Sequence, residues 1–301
     1  MRLNPRQLWV LVLLTLVWGL NWPVMKLGLS GTPAHPQSYP PLTFRALSML
    51  LGVPVLALGL VALKVPFGIP RAQWPELARL TLSNMVIWHV VVISALPHLS
   101  SGRTAILGYT MPIFSALWGV AVFGDRLGLR QSLGVLAAAV GVMLLLAHEF
   151  GRLAGAPLAA SAVLVAACVW AYGTHRLRRS TIPVPLLTVV FWMTTITALV
   201  MAVLALGFEV DRASWPSATV RWAIVYNAIG VFGFAHAAWF YLARTLPPVA
   251  STISVMLIPV LGTFSGALWL GEPLHWQDFA AMTLMVAAIA AVLTPRRLTQ
   301  G

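Results

Sequence analysis

A chain of 301 residues that is 59% hydrophobic and only 9% charged is too apolar for a water-soluble domain, in which about a quarter of the residues carry charge. Its net charge of +12, from 19 Lys and Arg against 7 acids, comes from basic residues spread singly between apolar runs, which excludes the basic faces and modules of nucleic-acid binders. The period-two alternation that a membrane barrel requires is also missing, leaving an all-α membrane protein.

A hydrocarbon core of about 30 Å takes roughly 20 apolar residues per helix, and ten such stretches follow one another. The first begins near Leu8 and runs through Trp18, Asn21 and Pro23 to Leu29. That is too long for the apolar region of a secretory signal, and no small-residue cleavage pattern follows, so it is expected to be a retained helix. The second begins near Leu42, after the Pro-rich stretch 31–41, and carries Arg45. The third, from near Leu77, carries Asn84, Trp88 and His89; the fourth, from near Thr104, carries Tyr109 and Pro112 and ends at Gly124-Asp125. A fifth starts near Gln131. The sixth, from near Ala156, holds Cys168, Trp170 and Tyr172, and a seventh starts near Val184. The eighth, from near Trp222, holds Asn227, His236 and Trp239; the ninth, from near Val249, holds Pro259 and ends at Gly271-Glu272; the tenth starts near Trp276. With one cysteine, no disulfide can form within the chain and a Cys-ligated metal site is not expected.

The fourth and ninth stretches repeat one pattern. A shift of 147 residues takes Pro112 to Pro259, Gly119 to Gly266, Gly124 to Gly271, Asp125 to Glu272, Leu127 to Leu274 and His89 to His236. A shift of 152 takes Val17-Trp18 to Val169-Trp170 and Lys26 to Arg178, the extra five residues fitting the Pro-rich stretch of the first half. Two units of five helices are therefore expected, over 1–150 and 151–301. Five is odd, so the second enters the bilayer from the opposite side, and inverted repeats of that kind belong to secondary transporters that bind cargo near the midplane at the repeat interface. Counting Lys and Arg in alternate loops and adjoining helix ends gives 13 against 6, and the positive-inside rule then places both termini in the cytoplasm of a multi-pass cell (inner) membrane protein.

WGLNWPVMK (18–26), Arg45 within PPLTFRAL, PIFSALWGVAVFGDRL and PVLGTFSGALWLGEPL resemble the two EamA-type repeats of the drug/metabolite transporter superfamily, over nearly the whole chain. FGFAHAAWFYLAR (232–244) is similar to the eighth helix of an aromatic amino-acid exporter of that superfamily. The resemblance implies a ten-helix metabolite exporter. Departures are Asp125-Arg126 where Glu-Arg is usual, and Ala-Tyr-Gly in the second half where the first has Gly-Leu-Asn.

The polar residues address the cargo. All seven acids fall in or beside loops, so no carboxylate is expected at bilayer depth to pair with a cationic drug or to carry a proton. Asp125 and Glu272 read as loop anchors or as members of ion pairs, for instance with Arg126. His89 and His236 sit far from span ends, and imidazole titrates near neutral pH; they read as neutral, hydrogen-bonded groups or as cavity lining. Arg45 and Lys26 are expected to snorkel to the outer surface, the alternative for Arg45 being that it draws anionic ends of cargo toward an outward opening. Trp9, Trp74, Trp215, Trp222 and Trp276 fit an interfacial belt. The deeper aromatics, with Asn21, Asn84 and Asn227, outline an aromatic cavity with a few neutral polar groups, suited to a zwitterion. The expected cavity set is Trp18, Asn21, Asn84, Trp88, His89, Tyr109, Trp170, Tyr172, His236 and Trp239, with Pro112 and Pro259 as hinges or gates.

The expected function is export of amino acids, aromatic and other neutral ones, by alternating access, the alternative being another small metabolite or drug such as a nucleoside, a sugar derivative or a lipophilic compound. Expected partners are the small-molecule cargo and the lipid bilayer, without nucleic acid, and a monomer is compatible with everything in the sequence. The sequence calls for no cofactor, no metal and no catalytic residue: an embedded enzyme would need reactive groups clustered at one depth, and the His, Asp, Glu and Ser residues are scattered.

Overall fold

A computed structural model describes residues 4–29, 38–147, 156–212, 214–246 and 255–293. Every regular element among them is helical. The longer ones, in chain order, are α1 (Pro5–Leu29), α2 (Pro41–Ala62), α3 (Arg71–His98), α4 (Ser101–Ala121), α5 (Leu129–Ala147), α6 (Pro157–Arg179), α7 (Leu186–Phe208), α8 (Ala218–Thr245), α9 (Leu257–Leu270) and α10 (Trp276–Leu293), with a short 3-10 turn at Val210–Arg212. Seven of them (α1 to α4 and α6 to α8) are long and apolar enough to cross a membrane, while α5 and α9 contribute shorter apolar stretches. Most of the Pro-rich stretch 31–41, Glu149 and the start of the ninth predicted helix near Val249 lie outside the described residues.

The helices present apolar side chains on both sides, because two solvents compete for them. Leu14, Phe44, Met49, Leu60, Phe232 and Phe240 face inward and are fully buried, whereas Leu58, Leu158, Val203 and Leu268 face outward at 68% exposure or more. In water such an outer face would drive aggregation; against lipid chains it costs nothing. Trp9, Trp215, Trp222 and Trp276 are also exposed, near span ends.

Packing places α2 between α7 and α8, α1 against α9, α6 against α3 and α4, and α5 against α10. Glycine lets some of these helices meet at backbone distance, the small-residue route to helix association in lipid. A Cβ at Gly19 would lie 2.6 Å from Leu261 Cβ, and one at Gly173 would lie 2.6 Å from Asn84 Nδ2.

The helix ends are satisfied by side chains from elsewhere, as low-dielectric surroundings demand. Glu209 accepts from the amides of Leu42 and Thr43 at 3.1 and 2.7 Å and from the Thr43 hydroxyl at 2.9 Å, closing the start of α2. Burial first, and the Glu209 charge second, raise the neighbouring Tyr39 phenol above its ordinary pKa. Glu272 accepts from the Ser101 amide and hydroxyl at the start of α4. Cations close C-terminal ends: Lys26 Nζ donates to the carbonyls of Leu96 and Leu99 at 2.9 and 2.8 Å, and Arg178 Nη1 to that of Ala243 at 3.0 Å. Glu209→Ala is expected to lower stability by about 2 to 3 kcal/mol, since a buried charged acceptor of backbone N–H groups is lost. Asp211→Ala, at an exposed neighbouring site, should leave the melting temperature of the purified protein unchanged, and equal melting of both variants would refute the cap's weight.

α3 and α8 share an irregularity. Each widens into π-helical turns, at Leu82–Val86 and Asn227–Ala235. α4 breaks at Tyr109 and Thr110, where Pro112 near the start of its second part lacks an amide hydrogen. Gly124 and Gly271 both take the left-handed conformation, with φ of 70° and 68°, as expected of glycine leaving a helix.

Candidate functional site: a closed aromatic cavity

A cavity of about 40 Å³ lies among α1, α2, α3, α4, α6 and α8. Of the residues expected from sequence, Trp18, Asn21, Trp88, His89, Tyr109, Trp170 and His236 line it. Trp239 and Pro112 line a smaller adjoining void with Trp18, Tyr109 and Trp170. Two stand elsewhere. Asn84 lies in the wide turn of α3, donating to Leu80 O at 3.2 Å beneath Gly173. Tyr172 packs on Trp118 and Phe123, ring centroids 5.3 and 5.7 Å apart, on another face of α6 from Trp170. The two sit two residues apart on a helix, about 200° round its axis, so they cannot share a wall. Pro259 is in the first turn of α9 and borders neither space.

The aromatic walls are mutually packed. Trp88 meets Trp170 at 5.1 Å, Trp18 meets His236 at 5.5 Å, and Trp22 meets Tyr109 at 6.4 Å, each edge to face. Phe232 stacks on His236 at 5.1 Å and meets His89 at 5.2 Å.

At the centre His89 Nε2 and His236 Nε2 are 3.2 Å apart, from residues separated by 147 positions. Their tautomers follow from the next partner. His236 Nδ1 is 2.9 Å from the Val231 carbonyl, which can only accept, so Nδ1 carries the hydrogen and Nε2 keeps its lone pair. His89 Nε2–H must therefore donate to His236 Nε2, and His89 Nδ1, which has no protein partner, is left as an acceptor. The two rings are neutral in this arrangement.

Arg45 departs from its expected place. Instead of snorkelling, it is 2% exposed and lines the cavity. Its guanidinium lies 5.4 Å from the Phe232 ring centroid, and Nη1 is 3.4 Å from Asn227 Oδ1. Sequence reasoning placed it by its distance from the end of α2, and missed that the helix is sheathed by α7 and α8. Lys26 likewise turns inward to carbonyls. Met25, Val92, Met111 and Val231 also line the cavity; nothing distinguishes them in sequence from packing residues.

Asp125 pairs with Arg179 at 3.0 Å, correcting the expected partner Arg126. Close by, His175 Nδ1 is 3.7 Å from Asp125 and Nε2 is 3.1 Å from the Ser115 hydroxyl. This has the outline of a nucleophile triad, but Nε2 is also 2.9 Å from the Ser115 carbonyl. It therefore carries the hydrogen and cannot take one from the hydroxyl. Ser115 is fully buried, and the group ties α4 to α6. Among the described residues no cluster of three His, Cys, Asp or Glu could hold a metal ion.

An apolar helical bundle sheathed for lipid around an internal polar and aromatic cavity defines a multi-pass membrane protein. The chain belongs to the EamA-like transporter family, which it matches over residues 6–147 and 155–294. It is similar to the uncharacterized transporter YoaV of Bacillus subtilis, at 24% identity over 87% of this chain and 88% of that one. It is also similar to the uncharacterized inner membrane transporter YedA of Escherichia coli, at 25% identity over 93% and 88%. A probable terminal-alkyne amino-acid exporter of Streptantibioticus cattleyicolor is 24% identical over 89% and 86%. One crystal structure shares the fold with a TM-score of 0.73, at 24% identity, covering 96% of this chain and 99% of that one.

Proposed function

We propose that this transporter exports amino acids, aromatic and other neutral ones, across the cytoplasmic membrane by alternating access, as ten helices in two inverted five-helix repeats over 1–150 and 151–301 with both termini in the cytoplasm. The observation that carries the reading is the central cavity, walled from both halves by aromatic rings, neutral polar groups and the Arg45 guanidinium. At about 40 Å³ it holds a few waters, against the several hundred Å³ of an occupied ligand site. The structure thus corresponds to a shut state of a carrier that must widen to load.

Several pairings support the repeat. The two left-handed glycines and the contacting histidines recur at a spacing of 147, and the same shift carries the wide turn of α3 into that of α8. So do the cation-capped carbonyls: Lys26 serves Leu96 and Arg178 serves Ala243, which stand 147 positions apart. An odd number of helices per unit makes the second inverted. The amino-acid cargo draws support from the wall chemistry and from the similarity to the probable terminal-alkyne amino-acid exporter of Streptantibioticus cattleyicolor. In this reading Pro112 and Pro259 are the hinges of α4 and α9, where an absent amide hydrogen loosens the helix.

Efflux of labelled phenylalanine from loaded proteoliposomes tests the reading. Trp170→Ala and Tyr109→Ala are expected to cut flux about tenfold or more, because each removes a wall worth over 1.4 kcal/mol of cargo contact, while reconstitution yields stay level. Efflux no faster than from protein-free vesicles would remove amino acids as cargo, and unchanged flux in both variants would remove these walls from the site.

A further inference from the structure

The cavity has an electrical imbalance. Arg45, 2% exposed, meets no carboxylate among the described residues. Its neighbours are the Asn227 amide, the Met25 sulfur and the Phe232 ring, and its Nε has no partner at all. None of these neighbours carries charge. A cation held inside a membrane protein without a counter-charge is costly and marks a functional position. Packing gives it no counterweight here, since an apolar chain of the same length would fill the space without the penalty.

We propose that Arg45 is the anion-binding group of the cavity, and that the carrier selects cargo bearing a carboxylate, which supplies the missing counter-charge. This rests on the cavity being the cargo site and specifies what it recognises. The remaining open groups fit the other end of such a molecule. Asn21 Oδ1 and His89 Nδ1 both lack partners and both accept, so they suit an ammonium. The Trp170 indole N–H, likewise open, is a second donor for the carboxylate. Phe232 is near both groups, 5.4 Å from the guanidinium and 5.2 Å from the His89 ring. A guanidinium is suited to the task because its fork meets both oxygens of a carboxylate.

The test is thermal unfolding of the purified full-length protein with three ligands that share one ring: phenylalanine, 3-phenylpropionate and phenethylamine. Phenylalanine and 3-phenylpropionate are expected to raise the melting temperature and phenethylamine to leave it unchanged. Arg45→Met without ligand should melt at or above the wild-type temperature, and should need at least about tenfold more of either carboxylate for half-maximal stabilisation. Arg45→Lys, keeping the charge but losing the fork, should fall between. Stabilisation by phenethylamine equal to that by phenylalanine, or no response to either carboxylate, would overturn the proposal. So would a wild-type response in Arg45→Met, or a lower melting temperature of empty Arg45→Met, which would mark the arginine as structural. Stabilisation by 3-phenylpropionate without any by phenylalanine would keep the anion site and sink the amino-acid reading, so the two fail separately.

Discussion

Gly173→Val is expected to abolish the folded protein, shifting detergent-solubilised material from a symmetric size-exclusion peak to the void volume. The position has no room for a first side-chain atom: a Cβ there would stand 2.6 Å from Asn84 Nδ2, 2.7 Å from Ser83 Oγ and 2.8 Å from Asn84 Cγ. Asn84 has no free direction to move, being fully buried and tied to Leu80 O in the wide turn of α3. Overpacking in a filled core costs about 1 to 3 kcal/mol where neighbours can shift. Here the Asn84 and Ser83 side chains must both give way, Asn84 losing its bond to Leu80 O, which puts the cost at the top of that range. Gly59→Val is the matched control, as nothing lies within 4 Å of a Cβ at that position. A Gly173→Val protein eluting and melting like the wild type would show that α3 and α6 are not fixed by this contact.

His236→Leu is expected to cost both stability and flux, and the two losses should separate in a second variant. Removing His236 leaves the His89 Nε2–H without its acceptor in a buried setting, a penalty of about 1 to 3 kcal/mol. The added change His89→Leu removes the orphaned donor, so the double variant should melt above the single one. Flux should stay at least about tenfold below wild type in both, because the single variant leaves an unpaired donor in the cavity wall and the double variant also removes the open acceptor His89 Nδ1 with its ring. Measured melting temperatures and phenylalanine efflux of the two variants decide the matter. A double variant that melts no higher than His236→Leu would refute the donor assignment, and full flux in the double variant would take the histidines out of transport.

Much of the architecture was legible because hydrocarbon imposes simple rules on sequence. Apolar stretches of membrane length, glycine at helix exits and the doubled Pro-Gly-acid pattern each have one physical reading, and the helices begin close to where those patterns start, save the ninth, whose expected start lies outside the described residues. The cavity was legible where depth along a helix sufficed, as for Trp18, His89, Trp170 and His236. It failed where rotation about the helix decided. Trp170 and Tyr172 have the same depth and opposite neighbours, and Asn84 is turned to Gly173 by a wide turn that has no sequence signature. Arg45 was misplaced for a different reason. Snorkelling is inferred from length to the interface, whereas its direction is set by which helices cover α2, a long-range fact.

The wide turns of α3 and α8 have a geometric consequence for the histidines beyond them. A π turn accommodates one residue more than an α turn, and every residue in an α-helix advances the side-chain direction by roughly 100°. His89 lies three residues past one such turn and His236 directly past the other. Taking a single residue out of each would leave two straight helices whose later side chains had swung a quarter-circle or more, and the imidazoles would point into neighbouring helices instead of at each other. The surplus residue in each helix is thus a phase setting, and the encounter of the two rings at the centre of the molecule depends on its being made twice.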